Sequence, residues 1–185
     1  MLSNPSRLRV FYLTHLSQPS SDRAVYRAIC RQQVRSILEL GVGVGQRALR
    51  MVELAGRGVP VGEVRYTGVD PFEGRSEMDG PGLALKTAHR LLKATGARIQ
   101  LVPGEIPAAL ARTANMLGPI DLLVIAGRLP PQQLAQAWFY VPRLLREQSQ
   151  VFLEKFLPGG KTAMQPVAHD EIETWATATR HHRAA

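Results

Sequence analysis

The sequence predicts an α/β protein with a doubly wound, mostly parallel sheet and helices on both faces. Short apolar runs alternate with segments of helical periodicity from residue 36 to residue 156, and such alternation favours a parallel sheet covered by helices. Segment 120–127 (IDLLVIAG) is almost entirely apolar, which is typical of a strand buried on both faces. A glycine cluster at 41–45 separates the first apolar run of this series from the helical segment that follows it.

Four elements are predicted up to the glycine cluster and just beyond it. Residues 8–14 (LRVFYLT) are apolar and rich in strand-forming side chains, so we expect a short strand that could fill a sheet edge. Residues 22–35 follow candidate N-caps at 20–22 and place arginines four apart, which favours a helix. Residues 36–40 (SILEL) are an apolar run that ends at the glycines, as a buried strand would. Residues 45–56 carry apolar side chains at helical spacing.

The rest of the chain continues the alternation. Gly96 suits the end of a helix, Pro107 suits the first turn of the next one, and Pro142 is expected to kink or end a third. The predicted strands lie at 64–70, within 97–104, at 120–127 and at 150–156, and an acidic loop lies at 71–82. The predicted helices lie at 83–96, at 105–117, within 130–147 and at 169–182.

Length and composition exclude several classes of protein. The 185 residues suit one domain, with an N-terminal extension at 1–35, a core at 36–157 and a tail at 158–185. No apolar run approaches the roughly 20 residues that span a bilayer, and the first residues lack the apolar centre of a signal peptide. The single cysteine, Cys30, excludes an intrachain disulfide. A cytoplasmic protein with no membrane partner is therefore the default expectation.

The net charge of +8 arises from 23 basic residues, of which four are lysines. A nucleic-acid surface would explain such a charge, but the arginines are spread along the chain without a block, which favours a general bias toward arginine. The local exception is a stripe of Arg23, Arg27, Arg31 and Arg35, which share one surface if residues 22–35 are helical. The stripe either docks an acidic or phosphate-bearing partner or pairs with acids elsewhere in the fold, and we favour the second interpretation.

The glycine cluster lies in the stretch ELGVGVGQ, residues 39–46. Its glycines serve either a tight turn or the close approach of a ligand to the backbone. Ligands of parallel sheets bind beyond the carboxyl ends of the strands, and the helix that starts near Gly45 offers unpaired N–H groups there. The dinucleotide pattern G-x-G-x-x-G would need a glycine at position 46, where the chain has Gln46. A nicotinamide-dependent oxidoreductase is therefore a less favoured function.

A second candidate binding position ends the next strand. Asp70, in the stretch YTGVDPF, stands where an acid can accept hydrogen bonds from ribose hydroxyls. An acid here indicates a ribose but does not distinguish among the cofactors that contain one. The alternative is that Asp70 caps the loop that begins at Pro71.

The pattern E-x-G-x-G-x-G from Glu39 to Gly45 resembles motif I of the Rossmann-like, class I family of S-adenosylmethionine-dependent methyltransferases. Asp70 and the segment LVPGEIPAAL, residues 101–110, resemble the ribose and adenine segments of that family, in the same order. The resemblance covers roughly residues 36–157. It implies S-adenosylmethionine as the cofactor, with Glu105 near the exocyclic amine of adenine and Ile106 against the ring. The cofactor-binding residues that it implies are Glu39, Gly41, Gly43, Gly45, Asp70, Pro71, Phe72, Glu105 and Ile106.

The chain departs from the family where catalysis is expected. In many members the end of the fourth strand carries an acid, sometimes within a metal site, or an Asn-Pro-Pro-Tyr segment, whereas residues 126–131 (AGRLPP) contain neither. A metal-dependent mechanism is therefore disfavoured, and positioning would supply much of the catalysis. The candidate bases are His15, His169 and Asp170, each a lone residue. Asp121 lies at the start of the fourth strand, the wrong end for catalysis, and we expect it to be structural.

The resemblance thus implies methyl transfer to an acceptor that the sequence does not identify: a small molecule, a protein or RNA. The alternative is a non-catalytic relative that uses the arginine-striped helix as an interaction surface. The lack of an acid in segment 126–131 favours this alternative. The chain is also short after the fifth strand, where the family adds a helix and an antiparallel hairpin. Residues 161–167 (KTAMQPV) could supply one strand there.

Overall fold

A computed structural model describes the backbone of residues 5–184, and the side chains of these residues except 78 and 181–184. The described residues form strands β1 Ser36–Leu40, β2 Arg65–Asp70, β3 Arg98–Pro103, β4 Ile120–Ile125, β5 Leu145–Leu157 and β6 Lys161–Pro166. These strands make one sheet in the order β3-β2-β1-β4-β5-β6. The first five pair in parallel and β6 runs antiparallel to β5. The predicted fold class, a mostly parallel α/β sheet, is confirmed.

Helices cover both faces of the sheet. They are α1 Arg7–Phe11, α2 Arg23–Arg31, α3 Gln46–Gly58, α4 Leu85–Lys93, α5 Ile106–Leu117, α6 Pro131–Trp138 and α7 His169–Ala184. Helices α2 and α3 pack on one face, for example through Tyr26 and Met51. Helices α5, α6 and α7 pack on the other, through side chains such as Leu110, Trp138 and Ile172.

Strand β1 lies in the centre of the sheet and is covered on both faces, which accounts for its mostly apolar sequence. Ile37 packs into one core cluster and Leu38 into the other, so both faces of the strand are covered. Burial of each such side chain stabilises the fold by roughly 1.5–3 kcal/mol. Leu40, the last residue of β1, is level with Val69 of β2 and Ile125 of β4. The parallel strands therefore end together at one edge of the sheet, called the carboxyl edge below.

The strand predicted for residues 8–14 is wrong. This segment is helix α1 followed by a π-helical turn at Tyr12–Leu16. Val10 and Leu13 face the core that α2 and α3 form, and the Thr14 hydroxyl donates to the Val10 carbonyl at 2.8 Å. The buried positions are spaced three or four residues apart, so tertiary packing selects a helix although the residues favour strands.

The bounds of α2 and β5 also differ from the prediction, whereas α6 ends before Pro142, as expected. Helix α2 ends at Arg31, because the backbone of Gln32 is extended. Arg35 therefore lies outside the helix, although the prediction places all four arginines of the stripe on it. Helix α6 ends at Trp138, since Pro142 has no N–H to donate to the carbonyl four residues back. A single 3₁₀ turn at Pro142–Leu144 then leads into β5, which begins five residues earlier than predicted.

The residues after β5 add one antiparallel strand to the edge of the sheet. Strand β6 pairs with the second half of β5, from Phe152 opposite Pro166 to Leu157 opposite Lys161. The strand expected from KTAMQPV and the terminal helix are both confirmed.

Candidate functional site

A cavity of about 380 Å³ opens at the carboxyl edge of the sheet. Its walls come from the loops after β1, β2 and β4, the starts of α3 and α5, the end of β5, the start of β6 and the segment before α2. Ligand pockets of proteins commonly occupy roughly 300–1,000 Å³. The cavity therefore lies where a parallel sheet binds its ligands and has the size that a small ligand needs.

The glycine cluster forms the turn between β1 and α3. Gly41 has φ +91° and Gly43 has φ +59°, both in the left-handed region that side chains disfavour. A Cβ on Gly41 would lie 2.7 Å from the Cβ of Ala126, whereas the nearest atom to a Cβ on Gly43 is the Pro81 oxygen at 3.7 Å. Gly41 and Gly43 line the cavity, while Gly45 is buried as the N-cap residue of α3. The cluster thus makes a tight turn and also exposes backbone to a ligand.

Glu39 does not line the cavity. It is fully buried in β1, where its carboxylate accepts a 2.6 Å hydrogen bond from Arg47 Nε and another from the Tyr66 hydroxyl. Burial raises the pKa of Glu39, against the opposing charge of Arg47. Burial likewise raises the pKa of the Tyr66 hydroxyl, with a further rise from the neighbouring carboxylate. Glu39 therefore acts on the cavity through the guanidinium that it holds.

Arg47, in the first turn of α3, brings that guanidinium to the cavity wall. Its Nη2 donates to the Gly41 carbonyl at 3.3 Å, and its Nη1 lies 3.5 Å from Asp22 and 3.7 Å from Glu154. Burial disfavours the charged form, but the surrounding carboxylates outweigh burial and raise the pKa of Arg47. One guanidinium thus faces three carboxylates, and Glu39 is the closest of them.

Asp70 is buried at the end of β2 and joins two loops. Its Oδ1 accepts from the Phe72 backbone N–H at 2.8 Å, and its Oδ2 accepts from the Gly43 N–H at 3.0 Å. The Arg75 guanidinium also pairs with Oδ2. The structure therefore connects the glycine turn to the acid that was predicted to bind a ribose. Pro71 lines the cavity, whereas Phe72 is buried against Val42 and Ala88.

The two residues that are predicted to contact adenine differ in their position relative to the cavity. Ile106, the first residue of α5, is buried and lines the cavity. Glu105 is exposed and does not line it. The structure thus brings Ile106, but not Glu105, to the same cavity as the glycine turn.

None of the three candidate bases lines the cavity. His15 is exposed on the π-helical turn and its ring stacks on Phe11. His169 Nε2 lies 2.9 Å from the Ser149 carbonyl oxygen, near the amino end of the parallel part of β5, and Asp170 is exposed in the first turn of α7. Asp121 accepts from the backbone N–H groups of residues 35 and 36 at 2.8 and 2.9 Å, a structural role at the opposite edge.

Two carboxylates that the sequence did not single out face the cavity instead. Glu154, near the end of β5, lines it and accepts a 3.0 Å hydrogen bond from the Gly127 N–H. Asp22, expected only as a helix cap, also lines it and accepts from the Tyr26 hydroxyl at 3.3 Å. Burial raises the pKa of Asp22, opposed by Arg47 and assisted by Glu154. The sequence carries one signal for Glu154, which is an acid near the carboxyl end of a predicted strand. It carries no signal that would place Asp22 at the cavity.

The arginine stripe is divided in the structure. Arg23 donates from Nε to the Ser17 carbonyl at 2.8 Å, and Arg35 pairs with Glu63 at 2.9 Å. Arg27 and Arg31 are exposed on α2 beside β5 and β6. The four arginines therefore do not form one continuous docking face.

Among the side chains that the structure describes, no three His, Cys, Asp or Glu residues are grouped so that they could hold a metal ion. In the same part of the chain, no helix combines the length and the apolar character that crossing a membrane requires.

Comparison with known proteins finds similarity at the level of structure. No protein-family model and no curated protein matches the chain. A precorrin-6y C5,15-methyltransferase from Geobacter metallireducens is 18% identical, with a TM-score of 0.51 over 92% of this chain and 74% of that one. A TehB-like SAM-dependent methyltransferase from Corynebacterium glutamicum is 15% identical, with a TM-score of 0.52 over 94% and 78%. The TDP-rhamnose 3′-O-methyltransferase CalS11 is 20% identical, with a TM-score of 0.54 over 81% and 64%. The chain therefore has the Rossmann-like fold of these methyltransferases.

Proposed function

We propose that this chain binds S-adenosylmethionine and transfers its methyl group to an acceptor that is not yet identified. The observation that carries the proposal is the hydrogen bond between Gly43 N–H and Asp70, which connects the glycine turn to a carboxylate at the carboxyl edge. The motif order and the fold shared with the TehB-like SAM-dependent methyltransferase support it. A cytoplasmic location is part of the proposal and rests on the single cysteine.

The order of the strands suggests how the cofactor lies along the carboxyl edge. Adenine would contact Ile106 after β3, the ribose would meet Asp70 after β2, and the amino-acid end would reach the turn after β1. The part of the cavity over β4, β5 and β6 then remains for the acceptor. Glu105 would have to approach adenine from the rim, since it does not line the cavity.

Arg47 is suited to hold the carboxylate of the cofactor's amino-acid end. Its guanidinium lines the cavity beside the Gly41 carbonyl and is oriented by buried Glu39. Guanidinium groups bind carboxylates with directed, charge-assisted hydrogen bonds. We therefore assign Glu39 an indirect role, as the positioning residue for Arg47.

Glu154 and Asp22 supply the proton acceptors that segment 126–131 lacks. When bound, S-adenosylmethionine supplies a methyl group on a sulfonium, whose sulfur leaves with the electrons of the carbon–sulfur bond. An acceptor nitrogen or oxygen forms the new bond to that carbon and must lose a proton. Glu154 lies at the acceptor end of the cavity, held by Gly127 N–H, so its carboxylate can take that proton.

Calorimetric titration with S-adenosylhomocysteine tests the binding part of this proposal. We expect saturable binding to the wild type and an affinity lower by about tenfold or more in Asp70→Asn, because the ribose loses a charged acceptor. Asp170→Asn is the matched control, an exposed acid outside the cavity. Absence of binding at millimolar ligand would refute the proposal, and binding of a nicotinamide dinucleotide instead would favour an oxidoreductase.

A non-catalytic relative is the second candidate, favoured by the absence of an acid in segment 126–131. Incubation of cell extract with methyl-labelled cofactor separates the two functions. A labelled product that requires the protein supports the enzyme, whereas cofactor binding without any labelled product supports the non-catalytic relative.

A further inference from the structure

The loop after β2 folds back over the acid that the proposed cofactor would need. Arg75, five residues after Asp70, turns its guanidinium inward, so that Nη2 pairs with Asp70 Oδ2. Only 13% of the Arg75 side chain is exposed, and it forms part of the cavity wall. The guanidinium therefore stands between the Asp70 carboxylate and the cavity.

The rest of the loop holds Arg75 in this position. Its Nη1 donates to the Asp79 carbonyl at 2.8 Å. The Asp79 carboxylate in turn accepts from the Ser76 N–H at 2.7 Å and from the Ser76 hydroxyl at 2.8 Å. At the far end of the loop, the Glu73 carboxylate accepts from the Leu85 N–H at 2.8 Å. The inward arginine is therefore braced by the loop's own backbone.

Gly82 provides the space that the arginine occupies. A Cβ added to Gly82 would lie 2.6 Å from both Cδ and Cζ of Arg75, and closer still to its Nε. Such an overlap is relieved when the flexible arginine swings away, without rearrangement of the backbone. By contrast, the nearest described atom to a Cβ added to Gly74, in the same loop, would be Pro71 Cβ at 4.0 Å.

The pairing leaves little of Asp70 free for a ribose. A carboxylate offers about four acceptor positions on its two oxygens. Backbone N–H groups of Phe72 and Gly43 use two of them, and Arg75 uses a third. A ribose diol brings two hydroxyl donors, so it needs the position that Arg75 holds. In addition, Arg75 Nε is buried and has no hydrogen-bond partner among the described residues, so the closed position does not satisfy the whole guanidinium there.

We propose that Arg75 is a latch: it occupies the ribose subsite in the ligand-free protein and must leave Asp70 before an adenosyl ligand binds. The proposal rests on the proposed function, because it assumes that Asp70 binds a ribose. Opening the latch breaks a charged hydrogen bond, which lowers the affinity for every ligand that uses Asp70.

Two independent variants open the latch. Arg75→Met removes the guanidinium and keeps the length of the side chain, whereas Gly82→Ala leaves the arginine and expels it by overlap. Calorimetric titration with adenosine should show binding that is about tenfold tighter in both variants than in the wild type, the effect of one charged hydrogen bond. Gly74→Ala is the matched control and should bind as the wild type does. With 2′,3′-dideoxyadenosine, which lacks the diol, the variants and the wild type should bind equally.

Each outcome supports or overturns the latch. Unchanged or weaker adenosine binding in both variants overturns it and indicates that Arg75 contacts the ligand. An equal gain for adenosine and the dideoxy analogue also overturns it, because the effect would not involve the ribose. Binding that appears only in the opened variants supports it. Absence of adenosine and S-adenosylhomocysteine binding in every variant, all with wild-type circular dichroism, overturns the proposed function itself.

Discussion

Replacing Glu39 with glutamine tests whether the buried ion pair beneath the cavity is a structural necessity. Glu39 is fully buried, and Arg47 beside it has 13% of its side chain exposed. Removing one member of a buried pair costs roughly 3–5 kcal/mol, because the other charge loses its partner. Arg47 keeps Asp22 at 3.5 Å and Glu154 at 3.7 Å, so we expect the lower end, about 3 kcal/mol.

Equilibrium urea unfolding measures this loss as a lower midpoint at an unchanged slope. The matched control is Glu63→Gln, which breaks an ion pair of 2.9 Å whose side chains are about half exposed and should cost less than about 1 kcal/mol. A loss below about 1 kcal/mol for Glu39→Gln would refute the reasoning, since a buried charge would then be tolerated without its partner. Additive losses in Glu39→Gln, Arg47→Gln and the double variant would refute the coupling.

Two further predictions concern the carboxylates at the acceptor end of the cavity. Burial raises the pKa of Asp22 above its ordinary 3.8, so its stabilising contribution is present below that pH and is lost as the pH rises through the folded-state pKa. The melting temperature of the wild type minus that of Asp22→Asn should therefore increase as the pH falls from above the folded-state pKa of Asp22 to its ordinary value of 3.8. A difference that stays constant over this range would contradict the prediction. Glu154→Gln should lower methyl transfer to extract acceptors by about 100-fold or more, while the thermal shift with S-adenosylhomocysteine persists. Unchanged transfer would exclude Glu154 as the proton acceptor.

Much of the fold is readable from local patterns. The run Ser36–Leu40, the glycine turn after it and the helical spacing that follows are all features of neighbouring residues. Burial on both faces goes with a largely apolar sequence in β1 and β4, apart from Ser36, Glu39 and Asp121, so the parallel core can be predicted without long-range information. The strand prediction for residues 8–14 fails because these strand-forming residues bury one face of a helix, and their packing partners on α2 and α3 lie elsewhere in the sequence.

The residues of the candidate site also fall into two groups, those that local patterns predict and those that only the tertiary structure reveals. Gly41, Gly43, Asp70 and Ile106 are marked by their positions at strand ends and helix starts, and the sequence by itself determined that these lie near one edge of a parallel sheet. Only the tertiary structure decided that Glu39 is a buried partner of Arg47 and that Arg75 covers Asp70. Charged side chains are long and can reach several partners, so their pairing depends on which loops meet at the carboxyl edge. Periodicity records which face of an element is buried, but it carries no information on which charges meet there.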